Sequence, residues 1–140
     1  MVARVNKTFP AQPAALQQIR AFIRERASKT SFYPDVAEDL VLAVSEACAN
    51  SVRHSRTAAI EVSWRRTVDG AEVEVLDEGV FETRDALPAA GLGYGIVMMK
   101  ALVDEVVIEE GTGSRPGTRV KLVMRGRSAP PSSPTSFARR

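Results

Sequence analysis

The sequence predicts one α+β domain, arranged as a two-layer sandwich of helices on a sheet. Its 140 residues suit a single domain with a core of its own. The hydrophobic pattern gives the order strand, two helices, two strands, loop, helix and two strands. A sharp turn between two neighbouring strand patterns indicates an antiparallel hairpin. Together these observations favour a two-layer sandwich over a doubly wound parallel sheet.

The first half of the chain predicts one short strand and two helices. Alternation over residues 4–9 indicates the strand. Pro13 suits the first turn of a helix, and apolar spacing extends that helix to about residue 28. Pro34 is well placed to open the second helix. Acidic residues follow in its first turns, where the helix dipole favours negative charge. We expect this helix to end around residues 54–56.

The second half predicts a hairpin, a third helix and two further strands. Alternation around Trp64 and over residues 72–76 gives two strands, joined by Asp69-Gly70 as a two-residue turn. A glycine-rich turn at residues 91–95 leads into the helix, and two strand patterns complete the domain at residues 105–109 and around Val120, Leu122 and Met124. The expected buried positions of the third helix are Ile96, Val97, Met99, Leu102 and Val103.

The composition is typical of a globular protein, with 44% hydrophobic and 26% charged residues. No apolar run approaches the roughly 20 residues that span a bilayer, and the N-terminal residues lack the apolar centre of an export signal. The single cysteine, Cys48, has no partner for an internal disulfide and suits a small buried position. We therefore expect a cytoplasmic protein that does not associate with membranes.

The basic character of the chain belongs to its C-terminal end. Residues 126–140 contain three arginines and no acidic residue, so residues 1–125 are close to neutral. A few arginines neutralise little phosphate, which argues against direct nucleic-acid binding. We therefore predict a folded domain over residues 1–125 and a disordered Pro/Ser-rich tail over residues 126–140.

The second helix carries the first chemically informative pattern. Glu46, Asn50 and Arg53, at i, i+4 and i+7, lie on the side opposite a broad apolar face. A carboxylate can accept a proton from an attacking hydroxyl, and an amide oxygen is a suitable hard ligand for Mg²⁺. On this helix alone, a solvated polar face is the alternative. The apolar face consists of Leu40, Val41, Val44, Cys48 and Val52.

Three further motifs follow the helix. Asp77-Glu78-Gly79, after an apolar strand, suits a carboxylate that binds an exocyclic amine such as that of adenine, although this motif alone favours a plain turn. Gly91-Leu92-Gly93-Tyr94-Gly95 at a helix start suits phosphate, but it follows no strand directly and lacks a lysine. Gly117-Thr118 places a hydroxyl before the last strand, where it can reach a base or a bridging water.

Taken in this order, the four motifs resemble the N box, the two glycine boxes and the closing Gly-Thr of the Bergerat-fold ATPases. That superfamily includes gyrase, Hsp90, histidine kinases and MutL. Within it, the phrases SEACANSVRHS and GYGIVMMKALVDEVVIE most resemble the anti-sigma-factor serine/threonine kinases. The resemblance covers about residues 5–125. It implies a mixed, mostly antiparallel sheet covered by helices on one face.

The resemblance implies an ATP- and Mg²⁺-dependent protein serine/threonine kinase. Glu46 is then the general base for the acceptor hydroxyl, Asn50 coordinates Mg²⁺ and Asp77 binds the adenine amine. The remaining implied roles are Gly79 beside the ring, Gly93 and Gly95 facing the phosphates, Gly91 closing the lid and Thr118 supporting the base pocket. The family protein is a homodimer that holds a sigma factor inactive and phosphorylates a small anti-sigma-factor antagonist.

Two departures from the family pattern support an alternative function. Phe81 stands where the first glycine box has its second glycine, and the lid over about residues 80–90 is short. Both features favour a non-catalytic ATP-binding regulator that sequesters a partner. An isolated ATPase half of a histidine kinase is a third interpretation, but the chain has no phosphoacceptor helix hairpin. For His54, the only histidine, we expect a structural or lid-contact role, because Glu46 fills the position of the base.

Overall fold

The structure, a computed structural model, describes residues 4–54, 57–78, 92–111 and 117–126, without the side chains of residues 54 and 92–94. Five strands and three helices follow one another in the order that the sequence predicts. Their bounds are β1 Arg4–Pro10, α1 Ala15–Ala27, α2 Pro34–His54, β2 Ala59–Thr67, β3 Gly70–Asp77, α3 Leu92–Leu102, β4 Glu105–Glu110 and β5 Thr118–Arg125.

The five strands form one sheet in the order β1-β2-β3-β5-β4. Every neighbouring pair is antiparallel, so the described sheet contains no parallel pair, and the prediction of a mixed sheet is wrong on this point. β5 lies between β3 and β4, and β3 and β4 therefore run in the same direction. After β3 the chain therefore has to return to the opposite end of the sheet before β4 can begin, and α3 lies on that connection.

The helices cover one face of the sheet, as the sequence predicts. Along β3, Ala71, Val73 and Val75 are buried, while the alternate residues are only half-buried. The opposite face carries charged pairs between strands, such as Arg65 and Glu72 with 2.7 Å between nitrogen and oxygen. The fold is thus a two-layer α+β sandwich with a solvated outer sheet face.

Helix α2 is the centre of the helical layer, because it contacts α1, α3 and the sheet. Leu40 and Val44 have no solvent exposure, and Cys48 is equally buried, as predicted. Burial on several sides also changes the interpretation of the polar residues on this helix. Asn50 is only 4% exposed, so its side of the helix is not a solvated face. A buried amide needs a specific partner, which makes this side a candidate site.

Two details differ from the sequence prediction. The hairpin turn is Val68-Asp69 rather than Asp69-Gly70, because Gly70 already pairs with Thr67 as the first residue of β3. A Cβ at Gly70 would collide with the main-chain carbonyl of Met124 on β5, so this glycine permits close strand approach.

Helix α3 also buries fewer residues than predicted. Met99 and Val103 are buried, and Ile96 and Leu102 are half-buried, but Val97 is 65% exposed. Val97 is two residues from Met99, which places it on the other side of the helix. None of the described helices combines the length and the hydropathy that crossing a membrane requires. Residues 127–140 of the predicted tail lie outside the described residues.

Candidate functional site

Glu46 and Asn50 lie one turn apart on α2, and the guanidinium of Arg53 contacts both of them. The Nη2 group of Arg53 donates a hydrogen bond to Asn50 Oδ1 at 3.1 Å and lies 3.4 Å from Glu46 Oε2. The Glu46 side chain is 22% exposed, so it is largely covered but still reaches solvent. The predicted i, i+4 and i+7 spacing therefore produces a real cluster of a carboxylate, an amide and a guanidinium.

The start of α3 packs directly against this cluster. A Cβ built on Gly95 would lie 2.9 Å from Glu46 Oε2 and 3.0 Å from Asn50 Nδ2. Glycine costs about 1 kcal/mol relative to alanine inside a helix, so its presence here needs a reason, and this close approach supplies one. The helix begins at Leu92, and residues 92–95 are helical instead of forming the predicted turn.

Asp77, at the end of β3, is tied to the same helix. Its Oδ2 accepts a hydrogen bond of 2.6 Å from Ser51 Oγ, and both residues are almost completely buried. The neighbouring Cys48 thiol has its pKa raised, first by burial and then by the charge of Asp77. Cys48 therefore stays protonated and chemically inert at neutral pH. Ser51 fixes one oxygen of the Asp77 carboxylate.

Gly117 and Thr118 complete the edge of the sheet beside Asp77. Thr118 is the cross-strand partner of Asp77, and both are buried on the face that the helices cover. Gly117 has a φ of 138°, a conformation that other residues rarely adopt. A Cβ at this position would also lie 2.6 Å from the main-chain oxygen of Asp77. The glycine lets the chain enter β5 directly alongside Asp77.

The two halves of the site are joined through consecutive residues of α2. Asn50 belongs to the cluster with Glu46, and Ser51 binds Asp77. One rigid helix therefore sets the position of the acid–amide pair relative to the buried carboxylate. Such an arrangement suits an extended ligand with a hydrogen-bonding ring at one end and negative charge at the other.

An open groove of about 900 Å³ lies at the same end of the sheet, but it is a different surface. Asp77 and Thr118 form part of its rim, while Glu46 and Asn50 do not line it. Most of its strand residues belong to the outer sheet face, including Glu61, Leu76 and Arg119. We therefore place the candidate site on the helix side of Asp77 and not in this groove.

Three predicted site residues remain without a described environment. Gly79 and Gly91 lie outside the described residues, as do Phe81 and the predicted lid. Gly93 lies in the first turn of α3, but its surroundings are not described. Their roles stay predictions.

Sequence reasoning missed Ser51 as a site residue. Its position carries a signal, because Val44, Cys48 and Ser51 follow one another at helical spacing along the buried stripe of α2. A hydroxyl on an apolar stripe needs a partner when it is buried. That partner is Asp77, from a strand more than twenty residues away in the sequence.

The carboxylate and amide oxygens of the cluster are suitable ligands for a hard divalent cation such as Mg²⁺. The guanidinium of Arg53 occupies a position where a positive charge meets both an amide oxygen and a carboxylate oxygen. Among the described residues there is no group of three or more His, Cys, Asp or Glu side chains suited to a metal. Mg²⁺ at a nucleotide needs only one or two protein oxygens, since phosphates and waters supply the other ligands.

Comparisons with known proteins identify the family of the domain. The family model of the histidine kinase-like ATPase domain matches residues 9–124. Serine-protein kinase RsbW from Bacillus licheniformis is 32% identical over 127 residues, covering 78% of this chain and 79% of the relative. The protein of the same name from Listeria innocua is 31% identical over 121 residues, covering 74% and 77% of the two chains.

A solved structure is also similar. It contains the RsbU and RsbW domains of Rv1364c from Mycobacterium tuberculosis, and it superposes with a TM-score of 0.71 at 26% sequence identity. The match covers 91% of this chain and 33% of that chain, so the present chain spans about a third of the solved protein. The likeness extends over almost the whole α+β sandwich described above.

Proposed function

The chain belongs to the family of histidine kinase-like ATPase domains, and we propose that it is an ATP-dependent protein serine/threonine kinase that acts as an anti-sigma factor. In this proposal it sequesters a sigma factor and phosphorylates an anti-sigma-factor antagonist, and it works as a homodimer. The names of its serine-protein kinase relatives support the reaction type. The motif resemblance supports the two protein partners.

One observation carries the nucleotide part of the proposal. Helix α2 presents Glu46 and Asn50 on one side of the site and holds Asp77 through Ser51 on the other. We assign the adenine amine to Asp77, with Thr118 beside it on the next strand. We assign the phosphates and Mg²⁺ to the cluster of Glu46 and Asn50, against which Gly95 packs.

Catalysis in this site is mainly positioning and charge stabilisation. The hydroxyl oxygen of the acceptor serine or threonine attacks the γ-phosphorus of ATP while the bond to the ADP oxygen breaks. Glu46 orients the hydroxyl and accepts its proton. Asn50 would hold Mg²⁺ through its amide oxygen, and the ion, when bound, would supply positive charge for the phosphate oxygens. The proposed roles of Gly79 beside the ring, Gly91 at the lid and Gly93 at the phosphates rest on the motif resemblance alone.

Calorimetry of ATP·Mg²⁺ binding is the experiment that tests the site. We expect clear binding by the wild type and binding weaker by about one to two powers of ten for Asp77→Asn, because a neutral amide replaces the charged acceptor of the adenine amine. Ser51→Ala is expected to weaken binding less, because it keeps the carboxylate and removes only one hydrogen bond that positions it. Equal affinity of wild type and Asp77→Asn would remove Asp77 from the base pocket.

Absence of binding by the wild type would exclude the kinase altogether. It would also exclude the alternative, a non-catalytic ATP-binding regulator that sequesters a partner, and would leave partner sequestration without a nucleotide as the role to test. Binding of ATP without phosphorylation of a cognate antagonist would favour that alternative, whereas phosphorylation of any cognate antagonist by the purified chain would exclude it.

Gly95→Ala is expected to lower phosphoryl transfer by about tenfold without lowering the melting temperature. The added methyl group has to push the ends of Glu46 and Asn50 aside, because it would stand 2.9 and 3.0 Å from them. Small displacements of positioned groups have large effects on rate. Alanine is at the same time the better helix former, which compensates for the crowding in stability. Steady-state transfer assays and thermal melting, measured on the same protein, separate the two effects.

A further inference from the structure

Arg53 has a position that the proposed reaction does not explain. Its guanidinium reaches back along α2 over nearly two turns and meets Asn50 and Glu46 together. These are the two side chains to which the proposed function assigns Mg²⁺ and the proton of the acceptor hydroxyl. The guanidinium of Arg53 therefore lies where the proposed function assigns Mg²⁺.

The contact combines a partly exposed ion pair with a hydrogen bond to a buried amide. Exposed pairs contribute little, because water screens them and both side chains lose freedom. Here Asn50 is buried, Glu46 is largely covered, and only Arg53 is half-exposed. In the part of the chain that the structure describes, no other Lys or Arg nitrogen lies within 4 Å of the Glu46 carboxylate. Arg53 thus contacts Asn50 and Glu46 at once from a side chain that is half-exposed to solvent.

We propose that Arg53 is a positioning residue that acts as an internal cation, substituting for part of the charge of Mg²⁺ at the nucleotide site and competing with Mg²⁺ for Asn50. This inference rests on the proposed function, because it concerns the same ATP site. Arg53 keeps Glu46 and Asn50 in place in the nucleotide-free protein. It also places a positive charge where the phosphates of metal-free ATP would arrive.

The two forms of the nucleotide should respond to Arg53 in opposite directions. Metal-free ATP carries more negative charge, so a guanidinium beside its phosphates increases its affinity. With ATP·Mg²⁺, the guanidinium and the metal require the same oxygen of Asn50, and two cations at that distance repel each other. Arg53 therefore has to move aside, which lowers the gain in affinity that Mg²⁺ brings.

Calorimetry gives the dissociation constant for ATP in excess EDTA and in excess Mg²⁺. The measured quantity is the constant in EDTA divided by the constant in Mg²⁺. We expect Arg53→Gln to increase this ratio by about tenfold relative to the wild type, which corresponds to about 1.4 kcal/mol. Arg53→Lys keeps the charge and is expected to restore a ratio near that of the wild type. Thermal melting of each nucleotide-free variant establishes that it is folded.

Arg24→Gln is the matched control. Arg24 lies on α1 and forms an exposed pair with Glu38 at 2.8 Å, so the substitution removes the same charge away from the cluster. Its ratio is expected to equal that of the wild type. A change of similar size in this variant would assign the effect to net charge and overturn the proposal.

The remaining outcomes separate this inference from the proposed function. If the wild type and Arg53→Gln both bind ATP with the same ratio, the internal-cation role is wrong while the ATP site stands. If Arg53→Gln weakens both forms equally, Arg53 is a general scaffold or phosphate contact, and the proposal is again overturned. If the wild type binds ATP under neither condition, the nucleotide site itself is wrong, and this inference fails with it.

Discussion

Replacing Glu46 by glutamine is expected to lower phosphoryl transfer by about 10²–10⁴-fold and to leave ATP binding nearly unchanged. Glutamine has the size of glutamate, so it fills the space against Gly95 that the carboxylate fills now. It cannot accept the proton of the acceptor hydroxyl. The loss should therefore appear in the rate of transfer and not in nucleotide affinity, for which the proposal relies on Asp77 at the adenine and Asn50 at Mg²⁺.

Single-turnover transfer from labelled ATP to a candidate antagonist protein measures this rate directly. Glu38→Gln is the matched control, because it makes the same chemical change on the same helix, where Glu38 forms an exposed pair with Arg24. The control is expected to transfer phosphate at the wild-type rate. Full transfer by Glu46→Gln would remove Glu46 from the role of base, and loss of ATP binding in that variant would assign it to binding instead.

The order of the elements could be predicted from the sequence because each element carries a clear period. Val73 and Val75 alternate with glutamates, and this pattern survives in the structure as a strand buried on one face. The apolar stripe of α2 continues for four turns, so the helix was also predictable in both position and buried side. The placement of the helices on one face of the sheet was predicted from the motif resemblance.

The details that could not be predicted depend on backbone approaches between distant segments. Gly70 suggests a turn in the sequence, but it is a strand residue because the main chain of β5 passes too close for a side chain. Gly95 suggests a phosphate-binding turn, but it lies in a helix because α3 rests on Glu46 and Asn50. A glycine in a sequence signals restricted space or unusual dihedral angles, and only the structure distinguishes between the two.

The candidate site divides in the same way. The spacing of Glu46, Asn50 and Arg53 predicts that they meet, because helical geometry is local, and the structure places them in hydrogen-bonding range. The bond between Ser51 and Asp77 joins a helix to a strand and depends on how the two layers stack. Local periodicity therefore predicts the acid–amide pair, while the support of the buried carboxylate emerges only from tertiary packing.

Gly117→Ala is expected to lower the free energy of unfolding by about 3 kcal/mol, since two penalties act together. The φ of 138° is strained for any residue with a side chain. The new methyl group would also stand 2.6 Å from the main-chain oxygen of Asp77, and neither backbone can move without disturbing the pairing of β3 with β5. Urea unfolding, followed by circular dichroism, measures the change.

Gly111→Ala is the matched control at the other end of the same connection. Gly111 donates its main-chain N–H to the carbonyl of Gly117 at 2.6 Å, but it is exposed and does not have a positive φ. Alanine should therefore be tolerated there and should change stability by less than about 1 kcal/mol. If both variants were equally stable, the strain at Gly117 would be absent in solution. If only Gly117→Ala is destabilised and its ATP affinity also falls, the glycine is needed to keep Asp77 and Thr118 side by side. The glycine of the Gly-Thr pair would then be required by the close approach of the two strands.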